Sequence, residues 1–122
     1  MNREIKFRGK WKGTNVWVYG DLICSSDKER IAIVTDDDHT CEVEFDTVGQ
    51  YTGLKDVTGV EIYEGDIIGI PEDVDFLPET VIFENGCFMA DDDYTCTPLC
   101  HIDTVYRVVV GNIHEQGKEA KI

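Results

Sequence analysis

The chain has 122 residues, 42% of them hydrophobic and 30% charged, the length and balance of one globular domain rather than of a disordered or fibrous chain. Asp and Glu number 25 against 11 Lys and Arg, a formal net charge of −14, and a field of that sign repels phosphate backbones, which argues against direct nucleic-acid binding. The excess is uneven: the first twelve residues hold five basic residues and one acid, +4, and the remainder is −18.

Taken in chain order, Ile5, Phe7 and Trp11 alternate with Lys6, Arg8 and Lys10. A period of two predicts a strand with one apolar face and one wet, basic face. Gly13-Thr14-Asn15 supplies turn chemistry, and Val16 to Ile23 is a second strand, which makes residues 1–24 an N-terminal hairpin. Trp17 and Tyr19 share one phase of that strand, and Val16 and Val18 take the other. A strand apolar on both faces is covered by its own fold or by another subunit. Trp17 and Tyr19 are therefore candidate interface residues, and a homo-oligomer is expected.

Ile31 to Val34 predicts a short strand, Asp36-Asp37-Asp38 a turn, and Cys41, Val43 and Phe45 a half-buried strand. From Tyr51 to Gly65 three glycines recur at six-residue spacing, Gly53, Gly59 and Gly65. They predict a compact ordered loop, because glycine permits the positive φ of tight turns. Tyr51, Leu54, Ile62 and Tyr63 are expected to pin it to the core, and Asp66 to accept backbone N–H bonds where the next strand, Ile67 to Ile70, begins. Pro71 and Pro78 bracket an acidic loop. Val81 to Phe83 and Cys87 to Met89 flank Asn85-Gly86, a strong hairpin signal. A short helical turn is expected between Pro98 and Thr104, and a last strand from Tyr106 to Val110. No window sustains a 3.6-residue apolar period. The expected fold is mainly β with little helix, either a small SH3-like barrel or two packed antiparallel sheets.

Chemistry-bearing patterns are sparse. Five cysteines, an odd number at irregular spacing, fit reduced thiols in a cytosol better than a disulfide framework. No apolar run reaches membrane-spanning length, and the first residues lack the apolar stretch of a signal peptide, so a cytoplasmic protein without membrane partners is expected. Cys96, Cys100 and His101 lie close in sequence and are weak metal candidates; a second close pair, which zinc normally requires, is missing. The aspartate runs lack the alternate spacing and closing glutamate of a calcium loop. No nucleophile elbow, P-loop or dinucleotide-binding glycine motif is present. No catalytic residue and no cofactor are assigned.

Two segments carry a family likeness. Arg3-Glu4-Ile5-Lys6-Phe7-Arg8 resembles the opening of YopX-type proteins of bacteriophages and prophages. Gln50-Tyr51-Thr52-Gly53-Leu54-Lys55-Asp56, then Gly59, then Glu61-Ile62-Tyr63-Glu64-Gly65-Asp66-Ile67 resembles that family's central signature, and Val110-Gly111-Asn112-Ile113-His114-Glu115 is similar to its closing strand and turn. Residues 71–104 depart from the pattern. The resemblance implies a single YopX-like domain over residues 1–122, with the glycine-punctuated signature and its strand at 50–70. It also implies a phage-derived protein in a bacterial cytoplasm. It implies no reaction. The expectation is a non-enzymatic accessory protein that acts by binding or assembly, with itself or with a host or phage protein that has a basic surface. The alternatives are an acidic anti-host or DNA-mimic protein and a cryptic metal-dependent hydrolase.

Overall fold

The structure is a computed structural model that describes residues 3–102 and 106–115. Its strands are β1 (Phe7–Lys10), β2 (Trp17–Cys24), β3 (Ile31–Val34), β4 (Thr40–Glu42), β5 (Gly49–Lys55), β6 (Glu61–Tyr63), β7 (Asp66–Gly69), β8 (Glu79–Glu84), β9 (Cys87–Asp91), β10 (Cys96–Pro98) and β11 (Val108–Asn112). The described 3₁₀ turns include Phe45–Thr47 and Leu99–His101. The strands form two antiparallel sheets of six and five strands, and among the described residues neither closes into a barrel. Of the two architectures expected from the sequence, the two-sheet one is observed and the SH3-like barrel is not.

The chain divides into two compact units, one ending at Tyr51 and one beginning at Thr52. In the first, the strand order is β4-β3-β2-β1-β5. Cross-strand partners share a face of a sheet, so the pairs Leu22 with Ile33 and Ile33 with Cys41 place one apolar layer on one side. Ile33, Cys41 and Val43 are its buried members. Gly20 sits where a side chain has no room, since an added Cβ would lie 2.0 Å from the Val34 carbonyl oxygen.

The basic face of β1 departs from its expected wet surface. Arg8 is only 6% exposed, while Trp11 is 46% exposed. The guanidinium of Arg8 stands 4.6 Å from the centroid of the Trp17 ring, Lys10 Nζ approaches the same ring at 5.5 Å, and Lys6 Nζ lies 5.6 Å from the Tyr51 ring. A planar, weakly hydrated guanidinium stacks on an aromatic face and tolerates burial there. Trp11 is left outside because the chain is already turning: Trp11 N–H donates to the Val16 carbonyl and Thr14 N–H donates back to Trp11.

In the second unit the continuation of β5 pairs with β6, and a separate sheet runs β10-β9-β8-β7-β11. Ile62, Ile68, Val81, Ala90 and Leu99 form its core, with Leu54, Phe88, Ile102 and Val109 packed around them. Asn85 and Gly86 take φ of 54° and 82°, the left-handed pair that a tight β8–β9 hairpin requires. β10 contains Pro98, which lacks an N–H for a ladder bond; β10 is a sheet edge, where that loss is tolerated. The expected helical turn after Pro98 is observed as Leu99–His101, and residues 103 and 104 of that expectation lie outside the described residues.

Candidate functional site

The glycine-punctuated segment, expected as a loop, is two strands joined by a turn. Gly53, Gly59 and Gly65 all have positive φ, near 90°. At Gly65 the requirement is tightest, because its N–H donates to the Val81 carbonyl and its own carbonyl accepts from Ile113. Ile62 and Tyr63 are buried, Leu54 packs on the second unit's core, and Tyr51 is buried in the first unit beneath Lys6.

Two carboxylates organise this segment. Asp66, 1% exposed, accepts the Tyr63 N–H at 2.8 Å and ties β7 back to the end of β6. Asp56 accepts from Thr58 N–H at 2.8 Å, Thr58 Oγ1 at 2.7 Å and Val60 N–H at 2.9 Å through one oxygen. Its other oxygen accepts the Val109 N–H of β11, also at 2.9 Å. Burial pushes the Asp56 carboxyl upward, but the bonds from Val109, Thr58 and Val60 outweigh it and hold the group below the ordinary aspartate range. Asp56 thus closes a turn and joins it to a strand more than fifty residues away. The sequence pattern alone assigns Asp56 no role. The Asp-x-Thr-Gly pattern is an Asx-turn signal that could have found its local half. The bond to Val109 has no local signal.

Cys96 lies in β10, and Cys100 and His101 in the following 3₁₀ turn, all three exposed. Among the described residues no three His, Cys, Asp or Glu side chains are arranged to hold a metal. Trp17 is half-buried under Arg8 and Lys10, and Tyr19 is exposed. A surface groove of about 440 Å³ in the first unit is lined by Ile23, Cys24, Arg30, Ile31, Ala32 and Glu42 among others. Its one close pair of opposite charges is Arg30 and Glu42, 3.8 Å apart, an arrangement without a nucleophile–base constellation.

The loop between β7 and β8 is built differently. Asp73 N–H donates to the Ile70 carbonyl, Phe76 N–H donates to the Asp73 carbonyl, and Asp73 Oδ1 accepts the Asp75 N–H. These bonds fold residues 70–76 into a turn. Its base is clamped: Arg107 Nε donates to Glu79 Oε1 at 2.9 Å, both side chains largely buried, and the guanidinium lies 4.9 Å from the Phe76 ring centroid. At the tip, Val74 is 94% exposed, with exposed Glu72, Asp73 and Asp75 around it and half-exposed Leu77 following. The arrangement presents apolar side chains in a rim of carboxylates on an ordered support.

A family model described as YopX protein matches residues 6–118. No curated protein matches.

Proposed function

Because the chain belongs to the YopX protein family, whose signature here is occupied in holding turns and strands, we propose that it acts by binding a protein partner with a basic surface, through the acidic loop at residues 71–78. The observation that carries the reading is Val74, 94% exposed among three carboxylates on a loop whose base is fixed by Arg107 and Glu79. Exposed single hydrophobic residues are ordinary. An ordered acidic turn that holds two of them, Val74 and Leu77, is complementary to an apolar pocket in a positively charged surround. A pre-ordered loop also loses less entropy on docking.

The test is capture from a bacterial lysate by the wild-type chain and by Val74→Ser/Leu77→Ser. The reading expects a partner retained by the wild type, released by salt, lost by the loop variant and retained by Tyr94→Ser, an exposed aromatic elsewhere. Identical retention by the wild type and the loop variant would overturn it. Self-association through the exposed Tyr19 side of β2 is the second reading. It is favoured by Tyr19 and Ile23, which the β1–β2–β3 register places on one face and which are both exposed. Light scattering tests it: a dimer that Tyr19→Ser dissociates supports it, and a monomer at high concentration removes it.

A further inference from the structure

We propose that Asn85-Gly86, the tip of the β8–β9 hairpin, is a site of spontaneous backbone modification, at which the Asn85 side chain closes onto the Gly86 nitrogen and the link becomes isoaspartyl. The chain has four asparagines, Asn2, Asn15, Asn85 and Asn112, followed in turn by Arg3, Val16, Gly86 and Ile113. At Asn85 no side chain on the next residue shields the neighbouring nitrogen. The structure sharpens this difference. Asn112 is 7% exposed and its Oδ1 accepts the His114 N–H at 2.9 Å. Asn15 is exposed in a turn, but Val16 is β-branched and crowds its own nitrogen. Residues 83–87 are all exposed, and among the described residues none accepts the Gly86 N–H. A Cβ added to Gly86 would meet nothing within 4 Å.

The step needs no outside reactant but water. The Gly86 nitrogen attacks the carbonyl carbon of the Asn85 side chain. A new C–N bond forms, the side-chain amide C–N bond breaks, and the N–H proton leaves with the amine as ammonia. Water then adds to either carbonyl of the cyclic imide and opens it. Opening on one side gives aspartate in an ordinary backbone. Opening on the other gives isoaspartate, with the chain routed through the former side-chain methylene. No electron is transferred.

The fold gates this step. Asn85 and Gly86 hold φ of 54° and 82°. In the left-handed well ψ is about +47°, and ring closure needs ψ rotated out of that well, so attack waits for the turn to open. Opening an exposed hairpin tip costs far less than global unfolding. The isoaspartyl product cannot return to the turn. The pairing of Glu84 with Cys87 closes a loop of only Asn85 and Gly86, and a type I′ turn has no place for an added backbone methylene. The new carboxylate also lies next in sequence to that of Glu84. The two strands so loosened carry Val81 and Ala90, paired members of the second unit's core.

The test is prolonged incubation of the full-length protein in mildly alkaline buffer, followed by peptide mass spectrometry and methyl labelling with an isoaspartyl-specific methyltransferase. The amide-to-acid mass gain is expected in the peptide that holds Asn85, with isoaspartate exceeding aspartate. The rate should be on the order of tenfold below that of the urea-unfolded chain, because the turn must open first. The urea midpoint should fall as the modified fraction grows. Asn85→Gly keeps a hairpin-forming Gly-Gly turn and lacks the amide, so it should fold, accept no methyl label at the turn and hold its midpoint over the same time. An Asn85 left intact in the folded protein while the unfolded chain converts would overturn the proposal. So would equal rates in the folded and unfolded chains, conversion of Asn15 or Asn112 as fast as Asn85, or an aged wild type with the midpoint of fresh protein.

Discussion

Aspartate is the residue that shapes this chain, and its role is local before it is electrostatic. Asp27, Asp56, Asp73, Asp91 and Asp92 each accept a backbone N–H from two to four residues further along, and Asp37 accepts from the Thr35 hydroxyl. Short carboxylates that mimic a backbone acceptor are turn formers, so much of the acidic excess marks where the chain reverses. Asp56 is the most consequential, since it alone among these also bonds a distant strand. In Asp56→Asn the amide cannot accept at both oxygens, and its NH₂ meets either the Val109 N–H or the Thr58 and Val60 donors. A loss of about 2 kcal/mol in urea denaturation is expected; a change under about 0.5 kcal/mol would mean these bonds are replaceable by water.

At the scale of elements, two features fix geometry. Gly20→Ala places a methyl group against the Val34 backbone and should force β2 and β3 apart, with a loss of about 2 kcal/mol or more. The clamp of Glu79 and Arg107 is a largely buried pair, so Arg107→Met strands a carboxylate; about 3 kcal/mol is expected by denaturation, and Glu79→Gln in the same chain should recover part of it. Much of this element layout was legible beforehand. β3 was bounded correctly, and the β8–β9 hairpin was placed by Asn85-Gly86, because period-two patterning and left-handed turn residues are local signals. β10 was missed because Pro98 reads as a breaker unless the strand is known to lie at an edge. The 51–65 segment reads as a loop because three glycines punctuate it at six-residue spacing, although positive φ at Gly53 leaves β5 hydrogen-bonded to β6. The burial of Arg8 was illegible for another reason: stacking on Trp17 depends on cross-strand register, which periodicity along one strand does not report. Among the signature residues, Tyr51, Ile62, Tyr63 and Asp66 are buried. Cys96, Cys100 and His101, close in sequence, are all exposed.

For the whole molecule, charge shapes the pH response. A net charge of −14 makes encounters with other charged surfaces salt-sensitive. No helix among the described residues is long and apolar enough to cross a membrane. Asp27, Asp37, Asp56 and Asp92 all sit below the ordinary aspartate range; hydrogen bonds from Ser25, Thr35 and Thr95 respectively lead the causes at the three exposed sites, and at Asp56 hydrogen bonds overcome burial. Groups whose folded pKa is depressed contribute stability above their unfolded pKa and lose it as pH falls through the folded value. The urea midpoint should therefore be flat from pH 7 to about 5 and fall steeply below about pH 4. A midpoint unchanged down to pH 3 would show that these bonds add nothing.

The central claim is that the signature segment is scaffold and the acidic loop is the presented surface. Native-state hydrogen exchange tests it most directly. The amides of Tyr63 and Val109, bonded to Asp66 and Asp56, should exchange only through global unfolding, while those of Glu72 and Val74 exchange orders of magnitude faster. Tyr63 and Val109 amides that open as readily as the loop would contradict the account.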